Sequence, residues 1–122
     1  MPSILLVEDE PLLADVLALV LTEAGYAVHV ALDGSTALEV LNRGDADAVV
    51  CDLHLPDQLG SAMCGAIRTQ PRARSIPLIL ISAAGRGDLT MLAEGDAFLE
   101  QPFPMTRLLT LLQAQVGGAS AG

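Results

Sequence analysis

The chain alternates short unbroken apolar runs with longer segments whose apolar positions recur at helical spacing. Ile4–Val7 is the first such run, and a run so short with no polar alternation reads as a strand buried on both faces. Pro11, just past three acids, fits the first turn of a helix. Behind it Leu13, Leu17, Val20 and Ala24 form an apolar stripe, widened by Leu12, Val16 and Leu19. Gly25 is the expected stop. Ala27–Ala31 reads as a second strand and Asp33-Gly34 as a turn. A second helix is expected from Ser35, its cap, through Leu41, stopped by Asn42-Arg43-Gly44. Ala48–Cys51 is a third apolar run that ends in Asp52. A loop at 56–60, a short helix at 61–69 closed by Pro71, and a fourth strand at 77–81 ending in Ser82 come next. Gly85 and Gly87 flank a loop before a short helix at 89–94. Ala97–Leu99 is the fifth strand, Gln101-Pro102 breaks it, and Met105–Val116 is a final helix.

Strand and helix thus alternate five times with short links. That order predicts an α/β fold: a doubly wound, five-stranded parallel sheet with right-handed crossovers and five helices on its two faces. Ligands in such sheets sit beyond the carboxyl ends of the strands, at the topological switch point. The rule singles out Glu8 and Asp9 after the first strand, Asp52 after the third, Ser82 after the fourth and Gln101 after the fifth.

Length and composition narrow the classes. The 122 residues suit one domain, expected over 1–116, with 117–122 as a flexible tail or cut linker. Hydrophobic residues make up 52%, but every apolar run is interrupted before it could span a membrane, and residues 2–10 carry no basic charge that would start a secretory signal. A cytoplasmic protein without membrane contact is expected. Net charge is −9, from 15 acids against 6 basic residues, which argues against direct nucleic-acid binding. Cys51 and Cys64 lack metal-ligand spacing and are read as reduced thiols.

Carboxylates at neighbouring strand ends repel one another unless a cation is present. Mg²⁺ is hard, takes oxygen ligands and commonly uses one or two carboxylates with water and phosphate oxygens. A carboxylate can also attack phosphorus and form an aspartyl-phosphate. A flavin or nucleotide protein of the same architecture would need a phosphate-cradling loop after the first strand, where Glu8-Asp9-Glu10 stands instead. No nucleophile elbow marks a hydrolase.

Five pieces, each at a strand end, carry a resemblance: the run from Ile4 to Pro11, Cys51-Asp52-Leu53-His54-Leu55-Pro56, Gly60, the run from Ile79 to Ala84, and Phe98-Leu99-Glu100-Gln101-Pro102-Phe103. Over residues 3 to about 116, the chain resembles the receiver domain of bacterial response regulators, a flavodoxin-like fold of two-component signalling. The resemblance implies a phosphoacceptor rather than an enzyme. Glu8 and Asp9 would hold Mg²⁺ with Asp52 and the backbone carbonyl of His54. Asp52 would accept the phosphoryl group, Ser82 would be the switch hydroxyl and Phe98 the switch aromatic. A sensor histidine kinase or phosphotransfer protein would donate, and a downstream protein would respond. The wide stripe of the first helix also leaves a homodimer or a kinase-docking face open.

Two departures stand out. Gln101 occupies the place of the family's phosphate-pairing lysine and offers a neutral amide where a full charge is usual. The stretch between Ser82 and Gln101 is also short, so the fourth helix region is expected to be reduced. A degenerate receiver that binds partners without phosphorylation is the alternative these departures raise.

Overall fold

The computed structural model describes residues 1–52, 76–82, 97–100 and 102–116, with the side chains of Asp52 and Ser82 outside that description. Five strands, β1 (Ser3–Val7), β2 (Ala27–Ala31), β3 (Ala48–Asp52), β4 (Leu78–Ser82) and β5 (Ala97–Glu100), form one parallel sheet in the order β2-β1-β3-β4-β5. Three helices lie among the described residues: α1 (Pro11–Glu23), α2 (Gly34–Asn42) and α3 (Met105–Val116). The helices expected at 61–69 and 89–94, and the reduced fourth helix region with them, fall outside the described residues, as does the tail at 117–122.

The two faces of the sheet are covered by different helices. Leu5, Val7, Val49, Cys51, Leu78 and Leu80 pack with Ala37, Val40 and Leu41 of α2. Ile4, Leu6, Val50, Ile79 and Ile81 pack with Leu17 and Leu21 of α1 and with Leu108 and Leu112 of α3. Successive strand residues thus alternate between two buried faces, which is why the sequence shows unbroken apolar runs. The doubly wound parallel sheet expected from that pattern is present.

Both early helices end in the same device. Gly25 (φ 99°) and Gly44 (φ 74°) adopt the left-handed region. After α1, Gly25 N–H donates to the Thr22 carbonyl and Tyr26 N–H to that of Leu21, while Tyr26 and Leu21 share the core beneath. After α2, Gly44 N–H donates to Leu41 and Asp45 N–H to Val40. These paired bonds satisfy the last helical carbonyls and turn the chain toward the next strand.

Two details differ from expectation. The cap of α2 is Asp33, not Ser35: Asp33 is extended (φ −150°, ψ 170°) and its Oδ1 accepts from Thr36 N–H at 2.8 Å. Gly34 can begin the helix because the preceding carboxylate already satisfies a free N–H of the first turn. Those bonds, the one from Thr36 N–H first, hold the Asp33 carboxyl below its usual pKa. In α1 the buried positions are Ala14, Leu17 and Leu21, whereas Leu12, Val16 and Leu19 face solvent with 75%, 51% and 59% of their surface exposed. The helix is apolar nearly all round but has a sheet on one side only.

Candidate functional site

In the order β2-β1-β3-β4-β5, the chain runs outward from β1 in one direction to β2 and in the other to β3. The switch point is therefore the gap at the carboxyl ends of β1 and β3. Register shows which residues meet there. Val7 pairs with Cys51, so Glu8 and Asp52 occupy the next rung of neighbouring strands, with Cα atoms about 5 Å apart. Asp52 pairs with Ile81, and Ser82 lies one residue further along β4, about 6 Å away by the same spacings. Ser82 pairs in turn with Glu100, next to Gln101.

The backbone holds Glu8 firmly. Its N–H donates to the Ala31 carbonyl of β2 at 3.0 Å, which extends the ladder one residue past β1. Its side chain is buried, with 2% exposed, and Oε2 accepts from Glu10 N–H at 3.1 Å. Glu10 is the residue before α1 and makes no side-chain cap of its own; the Glu8 carboxylate holds the Glu10 N–H just outside the helix. Positive partial charge at the start of a helix favours a carboxylate there. Sequence reasoning assigned Glu8 and Asp9 a common task and missed this division: Glu8 is anchored and buried, Asp9 is exposed at the crevice rim. The signal was a carboxylate three residues before the expected helix start at Pro11.

The residues that the register sets side by side at the switch point, Glu8 and Asp52, both carry a carboxyl group, a donor type that suits a hard divalent cation better than a soft one. Among the described residues no group of three metal-ligating side chains forms; the third carboxyl of the expected set belongs to Asp52. His54 and Gln101 lie outside the described residues. Phe98 is half-buried against the core on the α2 side of the sheet. Beside it, at the carboxyl end of β5, is a hollow of about 300 Å³ walled by Phe98, Glu100, Pro102, Phe103 and Arg107.

Comparison with known proteins decides what this arrangement belongs to. The family model of the response regulator receiver domain matches residues 4–113. The chain is a receiver domain. It is 34% identical over 117 residues to the sensory transduction protein RegX3 of Mycobacterium tuberculosis, covering 93% of this chain and 50% of RegX3. It is 38% identical over 116 residues to the transcriptional regulatory protein TcrA of the same organism, covering 91% of this chain and 44% of TcrA. The receiver domain thus spans about half the length of these relatives. Among solved structures, the receiver domain of sensor histidine kinase PA1611 from Pseudomonas aeruginosa, which has a magnesium ion coordinated in its active-site cleft, superposes with TM-score 0.84 at 33% identity, covering 96% of this chain and 98% of that one. The response regulator TrrA of Thermotoga maritima, in complex with Mg²⁺ and BeF, superposes with TM-score 0.83 at 28% identity, covering 95% of this chain and all of that one. The five-stranded flavodoxin-like fold is common to these receiver domains. Within this one, the absence of lysine is complete: all six basic residues are arginines.

No helix among the described residues is long and apolar enough to cross a membrane.

Proposed function

We propose that this receiver domain accepts a phosphoryl group on Asp52 in an Mg²⁺-dependent reaction and passes the change on to a protein partner. The adjacency of Glu8 and Asp52 at the switch point of the sheet carries the reading. A carboxylate oxygen of Asp52 attacks phosphorus, the bond from phosphorus to the donor's leaving group breaks, and the electron pair departs with that group. Glu8, Asp9, Asp52 and the His54 carbonyl would hold Mg²⁺, which would supply the charge neutralisation such a transfer depends on. Glu8, pinned by the Ala31 carbonyl and Glu10 N–H, keeps its carboxylate oriented at a fixed depth. Ser82 would donate its hydroxyl to a phosphoryl oxygen, and Phe98 would respond to that contact.

Receiver domains of response regulators take their phosphoryl groups from histidine kinases, and they are acceptors rather than enzymes. The donor of this one would dock on the outward ridge of α1, where Leu12, Val16 and Leu19 present apolar surface one and two turns apart. Such a donor places the domain in the cytoplasm. Gln101 favours a second reading, a degenerate receiver that binds partners without being phosphorylated. Intact mass after incubation with acetyl phosphate and Mg²⁺ separates the two. A gain of one phosphoryl group that Asp52→Ala abolishes and Gln101→Lys accelerates is the expected result; no gain in wild type selects the degenerate receiver.

A further inference from the structure

Phosphoryl transfer to Asp52 brings an anionic donor toward a site already lined by acids, in a chain of net charge −9 that has no lysine. Any fixed positive charge near the carboxyl end of the sheet therefore matters to the reaction. The described residues include two arginines. Arg43 sits at the end of α2 and is ion-paired to Asp45, Nε to Oδ2 at 3.2 Å. Arg107 is different. It lies in the first turn of α3, exposed, and walls the hollow at the carboxyl end of β5 together with Glu100 and Pro102, the two neighbours of Gln101. No carboxylate among the described residues forms an ion pair with it. The floor of that hollow includes Leu99, which pairs with Ile81, which pairs with Asp52. Leu99 and Asp52 are thus level in the sheet and two strands apart, about 10 Å.

We propose that Arg107 supplies, through its field, the positive charge that Gln101 does not. The proposal rests on the phosphoacceptor reading above and makes Arg107 a positioning residue for the anionic donor, with no contact to the reacting atoms. Over the roughly 10 Å between Leu99, in the floor of the hollow, and Asp52, one unit charge acting on another would be worth about twofold in rate at the dielectric of water and up to about fifteenfold at the lower effective value of a protein surface, and less for a guanidinium standing farther out. Such an effect is screened when the Debye length falls well below the separation, from about 30 Å at 0.01 M salt to about 3 Å at 1 M.

The experiment measures the rate of mass gain with acetyl phosphate and Mg²⁺ for wild type, Arg107→Gln, Arg107→Lys and the double variant Gln101→Lys with Arg107→Gln. At about 0.01 M ionic strength, Arg107→Gln is expected to be slower by about twofold or more, Arg107→Lys to match wild type, and the double variant to recover the rate; at about 1 M the rates of wild type, Arg107→Gln and Arg107→Lys converge. A purely structural role for Arg107 would not produce rescue by lysine or convergence in salt. If wild type and Arg107→Gln gain mass at equal rates at low salt, the inference is overturned and the phosphoacceptor reading stands. If wild type gains no mass at all, that reading fails and this inference with it.

Discussion

Leu12 and Leu21 are the same residue type on the same helix, yet they should respond to truncation very differently. Leu21 has no exposed surface and packs with Tyr26, Ile4 and Leu6 between α1 and the sheet. Leu21→Ala removes that packing and leaves a cavity, a cost of about 2–5 kcal/mol for buried leucines. Leu12 is 75% exposed. Burying a leucine fully is worth roughly 1.5–3 kcal/mol, so the quarter that Leu12 buries is worth about 0.5 kcal/mol, and the better helix propensity of alanine offsets part of it. Urea denaturation reads both. With a slope of about 1.5 kcal/mol per M, Leu21→Ala should lower the midpoint by about 1–3 M and Leu12→Ala by less than about 0.3 M. Equal losses would refute the assignment of Leu12 to an outward ridge. The same contrast has a functional arm. Replacing Leu12, Val16 and Leu19 together by serine should leave the rate with acetyl phosphate unchanged. Transfer from a histidine phosphotransfer domain that phosphorylates the wild type should fall by tenfold or more, because only the protein donor needs the ridge. Loss of both activities would show that the ridge belongs to the fold.

Gly25→Ala forces a Cβ into the left-handed region at φ 99° and should destabilise by about 1–2 kcal/mol, measured as a lower Tm. Because the Asp33 carboxyl titrates below its usual range, its cap on α2 contributes fully above about pH 5 and fades as pH falls below about 4, through the lowered folded value. Asp33→Asn keeps an acceptor without the charge, so its denaturation midpoint should fall less than that of wild type over this window; parallel curves would count against the capping bond. Chelation of divalent ions with EDTA should abolish the mass gain at Asp52 and leave far-UV circular dichroism unchanged, since the core on both faces of the sheet is apolar.

Much of this fold is written in local pattern. Unbroken runs such as Ile4–Val7 and Ala48–Cys51 announce strands covered on both sides, because each residue must be apolar whichever face it meets. Gly25 and Gly44 mark helix ends for an equally local reason, the left-handed backbone that only glycine enters without strain. Candidate site residues were legible as the polar residues that follow each run. The strand order that makes the gap between β1 and β3 the switch point, and the register that sets Glu8 level with Asp52, depend on pairings between segments more than forty residues apart. No local spacing encodes those. Nor could periodicity tell the buried side of α1 from the exposed one, since both carry leucine and valine; the sheet chose Leu17 and Leu21 by packing against them and left Leu12, Val16 and Leu19 to water. Hydrophobicity is a property of each residue, whereas burial belongs to the pair of surfaces that meet, and only the tertiary structure brings those surfaces together.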